Sequence, residues 1–230
     1  MSVKHADSTP VAIEVNAATR VSGLLSSAAD SKACLVLAHG AGAGMSHPFM
    51  AKLAMDLGGR GIATLRYQFP YMEKHGRRPD PPALCHATVR AAVAAAHAWL
   101  PTLPLFAGGK SFGGRMTSQA QAAEPLPQVL GLAFLGFPLH PPQQPSDTRA
   151  AHLFKVQVPM LFLQGARDAF AEPDLLNPLI TLLGGRATLK LLPDADHSFQ
   201  VPVRSAFTHS QINDDMINAL AGWINGAGGR

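Results

Sequence analysis

The stretch Gly109-Lys110-Ser111-Phe112-Gly113 fits the pattern G-x-S-x-G. A serine hydroxyl is a weak nucleophile unless a neighbouring base activates it. This pattern meets the structural half of that need: it marks a strand-to-helix turn so tight that the serine Oγ projects free of its surroundings. The flanking glycines keep the turn clear of the adjoining strand and helix. Acyl transfer through Ser111 is the chemistry that follows. Two other readings compete. Ser111 could cap a helix beginning at Phe112. Gly-Lys-Ser could also belong to a phosphate-binding loop, but G-x-x-x-x-G-K-[ST] requires glycine at 104, where the chain has Pro104. The glycines of "HGAGAGMSH", Gly40, Gly42 and Gly44, lack the third glycine of a dinucleotide-binding G-x-G-x-x-G.

A nucleophilic serine needs a base, and the base needs an acid to orient it. In folds built around this turn the chain order is serine, acid, histidine. Asp168, in "MLFLQGARDAF", follows one apolar run, and His197, in "LKLLPDADHSF", follows the next. Both therefore fall where strands end and sites form. His140, His152 and His209 also follow Ser111 and are expected to be surface or loop residues. Asp194 and Asp196 lie too close to His197 along the chain to reach round to its Nδ1, and Asp174 is expected to cap a helix. For the developing oxyanion, the N–H of Phe112 supplies one donor. The "HGAGAG" loop supplies the other, from Ala41 with Gly42 as runner-up.

Those residues need a frame. Short apolar runs at 33–40, 62–67, 103–109, 129–138, 158–165 and 187–193 alternate with helical spacing at 47–61, 81–101, 111–123, 173–185 and 210–226. Two runs at 11–15 and 21–25 read as an early hairpin or edge pair. Alternation of this kind predicts a mostly parallel sheet of about seven or eight strands with helices on both faces. The predicted organisation is a single α/β domain over residues 1–230. Segments 68–82 and 140–157 break the rhythm and read as functional or mobile loops.

Composition narrows the function classes. Apolar residues make up 47% of 230 residues, enough for a real core. A net charge of +4 without a basic stripe argues against nucleic acid as partner. "MSVKHADSTP" has no apolar signal region, no run is long enough to span a membrane, and two cysteines make no disulfide framework. The expected setting is the cytoplasm, with a small acyl compound as partner, the protein a monomer or homodimer, and no cofactor or metal. Lys110 is expected to contact substrate. With Arg66, Arg77 and Arg78 it could favour an anionic acyl group. Phe69 and Tyr71, with Tyr67 and Met72, either line the pocket or simply pack on the core.

Taken together, "LAHGAGAGMSHPFM", "LRYQFPYM", "GGKSFGGRM", "GFPLHPP", "LFLQGARDAF" and "DADHSF" resemble a small bacterial α/β-hydrolase family. That family is similar to dienelactone hydrolase and related to the testis-expressed protein 30 group. The resemblance runs from about residue 10 to the C-terminal helix. It implies the α/β-hydrolase fold with a minimal cap and a Ser/Asp/His triad at Ser111, Asp168 and His197. It implies a serine hydrolase for small esters or thioesters, because no lid insertion of the lipase kind is present. Some eukaryotic relatives look like components of larger assemblies, so a non-catalytic binding module on the same fold is the other reading.

Overall fold

In the computed structural model, residues 8–227 are described. The segment 1–7, most of the stretch read above for a signal region, lies outside them, as does the extreme C-terminus.

Eight strands form one sheet: β1 (Thr9–Asn16), β2 (Thr19–Ser26), β3 (Ala33–Ala38), β4 (Ile62–Tyr67), β5 (Leu105–Lys110), β6 (Val129–Leu135), β7 (Met160–Gly165) and β8 (Ala187–Leu192). Their order is β1-β2-β4-β3-β5-β6-β7-β8. The β1–β2 hairpin joins β4 antiparallel, and every other pairing is parallel. Every residue of β3, β4 and β7 is buried, as expected for strands covered on both faces. β1 alternates instead, because it is an edge strand with one face on the core.

Among the described residues, six α-helices complete the fold: α1 (Pro48–Gly58), α2 (Pro70–Glu73), α3 (Pro82–Trp99), α4 (Phe112–Ala123), α5 (Pro173–Leu183) and α6 (His209–Ala227). Proline opens α1, α2, α3 and α5, where its missing N–H costs no hydrogen bond. The pleat of β3 shows how the layers divide. Cys34, Val36 and Ala38 pack with Val89 of α3, Met116 of α4 and Leu176 of α5. Ala33, Leu35 and Leu37 face the other way, onto Leu53 of α1 and Met216 of α6. Two apolar cores therefore sandwich the sheet.

The two segments read as loops carry short elements. One holds the single turn α2, and the other a 3-10 helix at Thr148–Lys155. Neither is long enough to show a helical period in sequence. β6 also stops earlier than its apolar run, because Gly136 turns the chain at φ 70°.

Candidate active site

β3, β5, β7 and β8 run parallel, so the loops after their carboxyl ends converge on one edge of the sheet. Ala41, Ser111, Asp168 and His197 lie on these four loops.

Ser111 stands between β5 and α4 with φ 50° and ψ −115°. A side chain in that region is strained, and such strain persists only where the surroundings impose it. The imposition is visible at the two motif glycines. A Cβ on Gly109 would lie 2.5 Å from the carbonyl oxygen of Ala38, and one on Gly113 would lie 2.5 Å from that of His39. β5, β3 and the start of α4 are thus in backbone contact. Ser111→Gly is expected to stabilise the fold by about 1–2 kcal/mol, because glycine adopts this conformation freely. Denaturant titration of the two proteins checks it, with the m-value expected to stay constant.

The Ser111 Oγ lies 2.8 Å from Nε2 of His197, and Nδ1 of His197 lies 2.7 Å from Oδ2 of Asp168. The Asp168 carboxylate is buried and fully engaged. Its Oδ2 also accepts from Nε2 of Gln164 at 2.6 Å, and its Oδ1 accepts the Phe170 N–H at 2.8 Å. An acid held this way accepts Nδ1–H of the imidazole, leaving Nε2 free to take the serine proton. The Phe170 ring lies 4.2 Å from the imidazole, centroid to centroid. Asp196 turns away from His197, its Oδ1 accepting the N–H groups of Ser198 and Gln200.

Phe112 is the first residue of α4, so its N–H has no acceptor within the helix. The N–H of Ala41 has none among the described residues. The Ala41 loop is braced from beneath. His39 is fully buried, and its Nδ1 donates to the Gly40 carbonyl at 2.8 Å. Its Nε2 accepts the Phe69 N–H at 3.0 Å, and Tyr71 Oη donates to the Ala41 carbonyl at 2.8 Å. Burial pulls the His39 pKa down to about 4, against the opposing pull of the Gly40 carbonyl, so the ring is neutral at pH 7. His152 is likewise lowered to about 4, first by burial and then by Arg115, and its Nε2 meets Ser118 Oγ at 2.7 Å.

Each imidazole therefore binds a proton more readily in the unfolded chain than in the folded one. Stability is expected to be full above pH 6.5 and to fall as the pH drops from 6.5 toward 4. The loss attributable to the pair is on the order of a few kcal/mol at most. Urea unfolding at stepped pH checks this, and His152→Gln should flatten the slope.

A cavity of about 680 Å³ opens at this edge, lined by Gly40, Ala41, Gly42, Lys110, Ser111 and His197 together with faces of α1 and α6. Ser111, His197, Ala41 and Gly42 thus meet at one cavity, and Asp168 backs His197 from the interior.

Other expectations need correcting. Phe69 and Tyr71 are buried and do not line the cavity; their rings pack on Phe112 while their polar atoms brace the Ala41 loop. Lys110 does line it, but its Nζ donates to the His197 carbonyl and sits 5.0 Å from the Phe199 ring centroid. Burial lowers the Lys110 ammonium to about 8, although Asp168 and Asp196 oppose the shift. Arg66 is buried, donating to the Met45 carbonyl and Ser8 Oγ, and neither it nor the exposed Arg77 and Arg78 lines the cavity. His140 is not a surface residue: it is fully buried, with Nε2 2.5 Å from Glu172 Oε2. His209 is exposed, as expected, and also lines the cavity, while His152 is only partly exposed. Glu172, not Asp174, occupies the cap position of α5.

Sequence reading missed Gln164, Phe170 and His39. Gln164 had a signal, as the one polar side chain in the apolar run of β7. A buried amide there needs partners, and it finds them in Asp168 Oδ2 and the Phe137 N–H.

An eight-stranded, mostly parallel sheet, a strained serine on a strand-to-helix turn, and an acid and histidine on later strand ends define a protein of the α/β-hydrolase class. The chain belongs to the alpha/beta hydrolase domain family, whose sequence model matches residues 31–225. Solved structures share the fold at low identity. Dienelactone hydrolase from Anabaena variabilis superposes with a TM-score of 0.77 at 19% identity, covering 97% of this chain and 99% of that one. A serine hydrolase without a lid from Xanthomonas campestris gives 0.69 at 20% identity, covering 96% of this chain and 93% of that one. A cold-adapted esterase from an Arctic intertidal metagenomic library gives 0.67 at 20% identity, covering 99% and 96%. Among the described residues, no helix is long and apolar enough to cross a membrane.

Proposed function

We propose that the protein is a serine hydrolase of small esters or thioesters, working through a Ser111–Asp168–His197 triad and an acyl-enzyme. The observation that carries this reading is the unbroken chain from Ser111 Oγ through the His197 ring to Asp168, with links of 2.8 Å and 2.7 Å. Ser111 Oγ attacks the substrate carbonyl while His197 Nε2 takes its proton. The tetrahedral oxyanion is held by the N–H groups of Phe112 and Ala41. His197 then passes the proton to the leaving group, and the acyl group stays on Ser111. Water, deprotonated by the same nitrogen, releases it. Asp168 stabilises the imidazolium formed in each step. Each oxyanion donor is worth about 3–4 kcal/mol of barrier in enzymes of this kind.

The same reading takes residues 1–230 as one hydrolase domain, acting as a monomer or homodimer in a reducing cytoplasm. Two free, buried cysteines, Cys34 and Cys85, are compatible with that compartment.

Rapid mixing with a p-nitrophenyl ester and with an acyl thioester tests the acyl-enzyme. A burst of leaving group and an acyl adduct on Ser111 by mass spectrometry are expected. Turnover without any adduct under single-turnover conditions would count against it.

A further inference from the structure

The cavity at Ser111 does not stop at the reacting atoms. It continues between α1 and α6, whose facing sides present Phe49 and Leu53 from one helix and Met216 and Ile217 from the other. The spacing explains the groove. Phe49, Leu53 and Asp56 fall on one face of α1, and His209, Asn213 and Met216 on one face of α6. Leu53, Met216 and Ile217 are at most 2% exposed, so they form a floor, while Phe49 stacks on Phe199 beside the mouth. Beyond Asp56, Arg60 donates to Asn218 Oδ1 at 2.8 Å and to the Asp56 carbonyl at 2.9 Å, tying the two helices together. Two of the lining charges, Lys52 and Asp56, pair with each other at 2.7 Å. A largely apolar trough that opens at one end onto a serine buries an alkyl chain.

We infer that this cleft is the acyl-chain subsite, built for an unbranched aliphatic acyl group of about six to ten carbons. The inference rests on the hydrolase reading and adds the substrate class to it. The side of the reacting carbonyl follows from the proton's path. The leaving group must face His197 Nε2, beside Phe170, to be protonated. The acyl substituent points the opposite way, past the Ala41 loop and along α1, which follows that loop directly. The length follows from the helix. From Pro48 to Asp56 the lining stretch of α1 rises roughly 12 Å at ~1.5 Å per residue. An extended chain covers that distance in about ten bonds, since three bonds span ~3.3–3.6 Å.

The test compares p-nitrophenyl acetate with p-nitrophenyl hexanoate. A fully buried methylene is worth about fourfold in kcat/KM. The hexanoate-to-acetate ratio is therefore expected to exceed ~20, with a ceiling near ~200 for four methylenes. Leu53→Trp fills the floor and should cut that ratio about fifteenfold, the factor expected from losing two buried methylenes. Ile217→Phe, on the α6 side of the floor, gives the same reading if the tryptophan variant does not fold. Octanoate binding by calorimetry, to wild type and to Ser111→Ala, needs no turnover. Octanoate bound without ester hydrolysis would leave the cleft standing and remove the hydrolase reading. Hydrolysis with a flat acyl series and no octanoate binding would overturn the cleft and leave the hydrolase. A gradient that follows the alcohol side of acetate esters instead would overturn the acyl assignment.

Discussion

Ser111→Ala is expected to lower kcat by about 10⁵–10⁶ while the protein stays folded. The size follows from the role. Without Oγ there is no acyl-enzyme, and His197 loses the group it deprotonates at 2.8 Å. What remains is the residual ~10³–10⁴ over water that oxyanion donors and binding supply by themselves. KM should change little, because the cavity keeps its other lining residues. Steady-state kinetics on a p-nitrophenyl ester checks it, with the starting protein purified free of contaminating esterase. A loss under tenfold would mean that Ser111 is not the nucleophile.

Asp168→Asn is expected to cost about 10⁴ in kcat. The carboxylate does two things here. Its Oδ2 accepts Nδ1–H of His197 at 2.7 Å, and the same oxygen accepts from Gln164 at 2.6 Å. An asparagine keeps both bonds only with its NH₂ turned onto the Phe170 N–H. Turned to keep the Gln164 bond, its amide oxygen still faces two donors but carries no charge to stabilise an imidazolium. Turned the other way, its NH₂ meets Nδ1 and forces the tautomer that places a hydrogen on Nε2, where the serine proton must go. Combining it with Ser111→Ala should give no loss beyond that of Ser111→Ala, since groups that act as a unit are non-additive. A double variant markedly worse than either single one would show that the acid acts apart from the serine.

The sequence carried the frame of the site well, for physical reasons that differ by residue. β3, β4 and β7 are buried on both faces, so they appear as unbroken apolar runs. Gly109 and Gly113 are legible because backbone contact with Ala38 and His39 leaves no room for a side chain. Asp168 and His197 are legible as polar residues just past strand ends, in an order that the fold fixes. Other features are not written locally. Phe69 and Tyr71 look like pocket residues from their loop position, yet the one-turn helix α2 swings them under the Ala41 loop. Lys110 looks like a free cation beside the nucleophile, but the His197 carbonyl comes from the loop after β8 and claims its ammonium. The α1–α6 cleft depends on how two helices pack side by side on one face of the sheet, which neither helix's own pattern encodes.

Covalent labelling asks whether Ser111 is an activated nucleophile. Folded protein is incubated with a fluorophosphonate probe, and any adduct is mapped by peptide mass spectrometry in parallel with Ser111→Ala and His197→Ala. One adduct is expected, on Ser111, absent in the first variant and strongly slowed in the second. A folded, monodisperse protein that takes up no probe, or one labelled equally well without His197, would contradict activation of Ser111.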